Sequence, residues 1–155
     1  MHPAKHSTDE SRTGDEGSAS LEFITAGLLL LLPLVYLVLT MAQLQAGAFA
    51  VEGAARQAAR VYVQSATTAE ANSAAQRAIE FALADYGLDT DTVTASVSCS
   101  PNPANCLTRR GLVTIQVSTS VPLPLVPPVL DLDVPLSVAV NSTATQQVSR
   151  FWGGR

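Results

Sequence analysis

The chain has 155 residues, 14% of them charged and 47% hydrophobic, with a net charge of −4 and a mean hydropathy of +0.24. Less any membrane segment, that length allows one small domain and no more. The weakly acidic balance excludes nucleic acid, which needs a concentrated basic footprint. Histidine occurs only at His2 and His6, so chemistry that needs a histidine base in the body of the chain is excluded too.

Residues 1–17 mix Lys, His, Ser, Thr, Asp, Glu and Gly without periodicity and read as a polar leader. Gly17-Ser18-Ala19-Ser20-Leu21-Glu22-Phe23 then meets an uncharged run of 20 residues, Phe23 to Ala42. At about 1.5 Å rise per residue, such a run spans a hydrocarbon core of about 30 Å. Glu22 therefore stands at the lip of a transmembrane helix, where an unpaired carboxylate is costly and asks for a partner.

A glycine, four further residues, a glutamate and an aromatic, set directly before a long apolar helix, resemble the processing site of type IV prepilins. The resemblance is closest to the Flp and TadE-like pilins of tight-adherence (Tad) systems. It implies that a membrane-embedded prepilin peptidase cuts between Gly17 and Ser18, so that Ser18 opens the mature chain. It also implies that Glu22, with Phe23 beside it, serves assembly by meeting the free α-amine of a neighbouring subunit. An α-amine with a pKa of about 7.7–8.0 is largely protonated at neutral pH. An ammonium and a carboxylate buried together cost far less than either alone. The implied partners are the peptidase, the membrane, other Tad pilins and an inner-membrane assembly platform, with no cofactor. Lys5 and Arg12 before the span balance Arg56 and Arg60 after it. The orientation, N-terminus cytoplasmic and body extracytoplasmic, is therefore taken from the resemblance and from the cysteines below.

From Ser18 the helix is expected to run past the membrane to Ser65, interrupted by Pro33, which removes one backbone hydrogen bond. Beyond the membrane Ala46, Ala50, Gly53, Ala54 and Ala58 are small residues at helical spacing. They suit close packing, either in a fibre or against this chain's own second helix. Glu52 stands four residues before Arg56, the favourable order for a helical ion pair. A second, antiparallel helix is expected over 66–87, capped by Thr67 or Thr68 and stopped at Gly87. Ala71, Ala74, Ala75, Ala78, Ile79, Ala82 and Tyr86 trace its apolar face.

Over residues 88–155 the period changes to two. Val93, Ala95, Val97 and Cys99 alternate with Thr and Ser. The same alternation returns over Val113, Ile115, Val117, Thr119 and Val121, and again over Val134, Leu136, Val138 and Val140. Three strands follow, forming a small antiparallel sheet whose apolar face covers the helices. Cys99 and Cys106 bracket Ser-Pro-Asn-Pro-Ala-Asn and read as a disulfide closing a hairpin loop, with free thiols as the alternative. There is no third cysteine or body histidine to complete a metal site. A disulfide would place this region in an oxidising, extracytoplasmic space. Pro122-Leu123-Pro124-Leu125-Val126-Pro127-Pro128 is expected to be an extended apolar loop, either a contact surface or folded across the sheet. Asn141-Ser142-Thr143 matches a glycosylation acceptor, a match without meaning in the bacterial protein that the resemblance implies. Phe151 and Trp152 either dock on the sheet or touch a partner.

The fold class expected is α+β: a long N-terminal transmembrane helix, a second antiparallel helix and a three-stranded antiparallel sheet. The function expected is that of a minor prepilin-like subunit, cleaved after Gly17 and used in pilus assembly, priming or adhesion. An uncleaved, membrane-anchored extracytoplasmic binding module is the alternative. A secreted protein cut near Ala46-Gly47-Ala48 or Ala48-Phe49-Ala50 is weakened by an apolar run longer than a signal-peptide core. An enzyme is not expected, because the chain has no glycine-rich phosphate loop, nucleophile–histidine pair or metal spacing.

Overall fold

The computed structural model describes residues 16–124 and 137–153. The chain divides into two units, Met1–Leu39 and Thr40–Arg155. Helix α1 (Glu16–Gln64, 49 residues) contributes to both.

In the first unit α1 is the described structure. Its apolar face is the whole circumference: Leu28 to Leu32, Leu34, Leu37 and Val38 are all exposed, and none of the most apolar window is buried within the chain. This is the one described helix long and apolar enough to cross a membrane. Pro33 lies inside it. Thr25 Oγ1 donates to the Leu21 carbonyl at 2.7 Å, satisfying its hydroxyl without leaving the helix.

The second unit is a two-layer α+β domain. Helix α2 (Thr68–Ala84) starts at Thr67, whose side chain accepts from the Glu70 amide at 3.2 Å. Glu70 Oε2 in turn accepts from the Ala66 amide, so two donors at the turn are satisfied reciprocally. The helix stops at Asp85, and Gly87 adopts φ +66°, a conformation that costs a residue with a Cβ. Strands β1 (Thr94–Ser100), β2 (Leu112–Pro122) and β3 (Ser137–Gln147) form one antiparallel sheet in the order β1-β2-β3.

The core joins both layers. Ala50, Val51, Ala54, Ala55, Ala58, Ala59 and Tyr62 come from α1, and Ala71, Ala75, Ile79 and Leu83 from α2. Central strand β2 alternates as expected, burying Val113, Ile115, Val117, Thr119 and Val121. Each fully buried Val or Ile contributes about 1.5–3 kcal/mol relative to exposure. Ala50, Ala54 and Ala58 thus pack inside this chain's own core, whereas Gly53 is exposed. The close approach falls instead at Gly47, where a Cβ would collide with the Val121 side chain.

Three expectations need correction. Tyr86 is exposed, and Leu83 takes the buried position on α2, because the helix has already ended before Tyr86. The third strand includes Val138 and Val140 but continues well past them: it spans Ser137–Gln147, pairing Pro122 with Ser137 and Leu112 with Gln147. Its polar half can extend because Asn141, Thr143 and Thr145 face away from the core. Val134 and Leu136 lie outside the described residues. Edge strand β1 also covers less than its alternation implies, since Val97 stays 40% exposed while its cross-strand partner Ile115 is fully buried. Of the proline-rich stretch, Pro122 closes β2, Leu123 and Pro124 are half-buried, and 125–128 lie outside the described residues.

Candidate functional site

The first candidate site is the head of α1. Gly17 is the second residue of the helix and Ser18 the third, so the Gly17–Ser18 peptide lies within its first turn. Ser18 and Glu22 are four residues apart and line one shallow groove with Leu21, Thr25, Ala26 and Leu29. Phe23 is 80% exposed. Among the described residues the single ion pair is Arg56–Glu52, one turn apart on α1, and Glu22 has no cation against it. The next basic residue along α1 after Glu22 is Arg56 itself. A carboxylate so placed can be neutralised by a cation from outside this stretch of chain, or by an α-amine created at Ser18.

The disulfide forms the second site. Cys99 and Cys106 are bonded, with their Cα atoms 5.1 Å apart, and no free cysteine remains. The loop between them is an Asn-rich turn, in which Asn102 accepts from the amides of Ala104 and Asn105 at 3.2 Å. Leu107, directly after Cys106, is buried in the core. Closing so short a loop contributes about 2–3 kcal/mol through lost unfolded-state entropy.

Sequence reasoning passed over what surrounds that loop. The Arg110 amide donates to the Val148 carbonyl at 3.2 Å, and the Val148 amide to the Gly111 carbonyl at 2.8 Å. Arg109 Nε donates to the Trp152 carbonyl at 2.8 Å, and Trp152 Nε1 donates to the Ser65 carbonyl at 3.1 Å. The C-terminal residues therefore tie the disulfide loop to the α1–α2 turn. Trp152 is half-buried there rather than on the sheet face, and Phe151 is 78% exposed with the Arg150 guanidinium 4.6 Å above its ring. The available signal was the Arg109-Arg110 pair beside a glycine, which reads as a turn and nothing more.

A cavity of about 350 Å³ lies between α2 and β1, floored by Ile79, Ala95, Val97 and Ile115. Glu80 is the ionisable group on its rim, and its Oε1 accepts from Gln76 Nε2 at 3.1 Å. Among the described residues no group of three His, Cys, Asp or Glu side chains converges on a point.

Comparison with family models, with curated proteins and with solved structures finds no match to this chain.

Proposed function

We propose that the chain is a prepilin-like minor subunit of a Tad-type pilus, held in the membrane by α1 and cleaved after Gly17. Residues 1–17 are the cytoplasmic leader, and the disulfide-bonded domain stands on the extracytoplasmic side. One observation carries the reading. Glu22 begins an apolar helix that the chain itself does not bury, and it has no cation among the described residues to neutralise it. A lipid anchor gains nothing from that carboxylate, whereas a subunit meeting a neighbour's Ser18 ammonium does. The globular domain distinguishes a minor subunit from a major one, which would need little beyond the helix.

The test is the mature N-terminus. Sequencing of the wild-type protein from cells with an active prepilin peptidase should begin at Ser18. Gly17→Leu should leave the full-length precursor, because a side chain there obstructs an active site that must approach the backbone closely. A chain beginning at Met1 in such cells overturns the reading in favour of an uncleaved anchored module.

A further inference from the structure

Two loop regions of the second unit carry charges of opposite sign. Pairing of Val121 with Val138, the approach of Gly47 to Val121, and the Thr92–Thr119 hydroxyl contact at 3.2 Å place the α2–β1 connection at one end. That connection, 85–93, carries Asp85, Asp89 and Asp91 and no basic residue. The bond from Trp152 Nε1 to the Ser65 carbonyl places the disulfide loop and the C-terminal residues at the other end. There, 100–111 and 148–153 carry Arg109, Arg110 and Arg150 and no acidic residue. Glu70 on the α1–α2 turn is an exception at the arginine end, its carboxylate engaged by the Ala66 amide, and Arg77, which shares a hollow with Asp85, is one at the acidic end; Glu52, Arg56, Arg60 and Glu80 lie along the two helices.

Each end adds an aromatic feature to its charge. Tyr86, 52% exposed, lies in sequence between Asp85 and Asp89. The arginine end has a shallow hollow lined by Leu107, Arg109 and Trp152, with Phe151 beside it. Aromatic and arginine side chains with apolar neighbours are the residues that dominate protein interfaces. Single exposed ion pairs contribute little, but segregated charge of opposite sign orients two bodies and rejects the reversed approach.

We propose that the two ends are the two halves of one interface between copies of this chain. The acidic end of one copy, which includes Tyr86, seats on the arginine-lined hollow of the next. The contact is heterologous, since each copy presents a different surface on each side, and repeated it extends rather than closes. It rests on the fibre-subunit reading for its purpose, and for its existence on the charges alone.

The test uses the full chain in detergent, with benzoylphenylalanine replacing Phe151 and cross-linked adducts mapped by mass spectrometry. Cross-links should run from position 151 to the 81–91 segment of a second copy. They should weaken by about tenfold when salt is raised from 0.05 to 0.5 M, as the screening length falls from about 14 to about 4 Å. Asp85→Arg with Asp91→Arg makes both ends basic, and Arg110→Glu with Arg150→Glu makes both acidic. These positions leave the Asp89 turn and the Arg109–Trp152 bond intact. Each variant alone should fail to associate, and an equimolar mixture should recover association. Near-UV circular dichroism checks that each is folded. Folded variants that associate alone like wild type, or a mixture that stays apart, overturn the interface. A chain that keeps its leader yet cross-links as described removes the pilus reading and leaves the interface standing. A cleaved, fibre-borne chain whose position 151 cross-links elsewhere does the reverse.

Discussion

Gly47 and Gly53 sit on the same helix, and a methyl group added to each should act in opposite directions. At Gly53 the Cβ meets nothing within 4 Å, so Gly53→Ala should stabilise the domain by the helix-propensity difference of about 1 kcal/mol. At Gly47 the same Cβ meets Val121, which is fully buried and has no room to retreat. Overpacking costs about 1–3 kcal/mol, so Gly47→Ala should be neutral to destabilising and Gly47→Leu clearly destabilising. Thermal unfolding of the two alanine variants, compared in one detergent, checks the sign. Tyr62 offers a second residue-scale test, because burial pushes its phenol above the ordinary value. Below about pH 10 both folded and unfolded states keep the proton, and the full stability is present. As pH rises past that value the unfolded state releases its proton first, and stability is lost. Tyr62→Phe should therefore change stability by less than about 1.5 kcal/mol at pH 7 and flatten the alkaline loss, as read from unfolding midpoints between pH 8 and 11.

At the scale of elements, the α1–α2 turn shows how little chain is needed to reverse a helix. Thr67 and Glu70 exchange bonds with the backbone of the same turn, and Trp152 donates into it from the C-terminal residues. Thr67→Ala removes the cap and should cost about 1 kcal/mol, measured by chemical unfolding of the domain, with the Trp152 fluorescence reporting on the turn itself. Helix α2 was legible because Thr67 and Thr68 offer a cap before an alanine-rich apolar face, and β2 because its apolar residues alternate without a break. The C-terminal half of strand β3 was not legible in the sequence, for a physical reason. An edge strand with one covered face needs few apolar residues, and its polar half, Asn141 to Gln147, is held by pairing with β2 rather than by burial. No periodicity in those residues announces that pairing.

At the scale of the whole molecule, the question is what an unburied apolar helix headed by a carboxylate is for. If Glu22 serves assembly, Glu22→Gln should leave membrane insertion and cutting at Gly17 intact. Incorporation into the pilus should fall by about tenfold or more, because a neighbour's Ser18 ammonium would be buried without its counter-charge. The measurement is the ratio of cleaved protein in membranes to protein in sheared pili. Normal incorporation of the glutamine variant returns Glu22 to a helix-terminal charge that favours the N-terminal dipole and nothing else.

Local chemistry sufficed for the apolar span, the Cys99–Cys106 bond, the two helices and the central strand, because each depends on residues close together in the chain. Spacing, capping and alternation are properties of such short windows, and a loop of this length leaves two cysteines few other partners. Tertiary structure decided the rest. It chose Leu83 over Tyr86 for the core and Gly47 over Gly53 for the close contact, and it set the register of β3. It also gathered Arg109, Arg110 and Arg150 at one end and three aspartates at the other. Those outcomes depend on which surfaces meet across the domain, and residues 40 or more positions apart in sequence, such as Arg109 and Trp152, meet only once the sheet has paired.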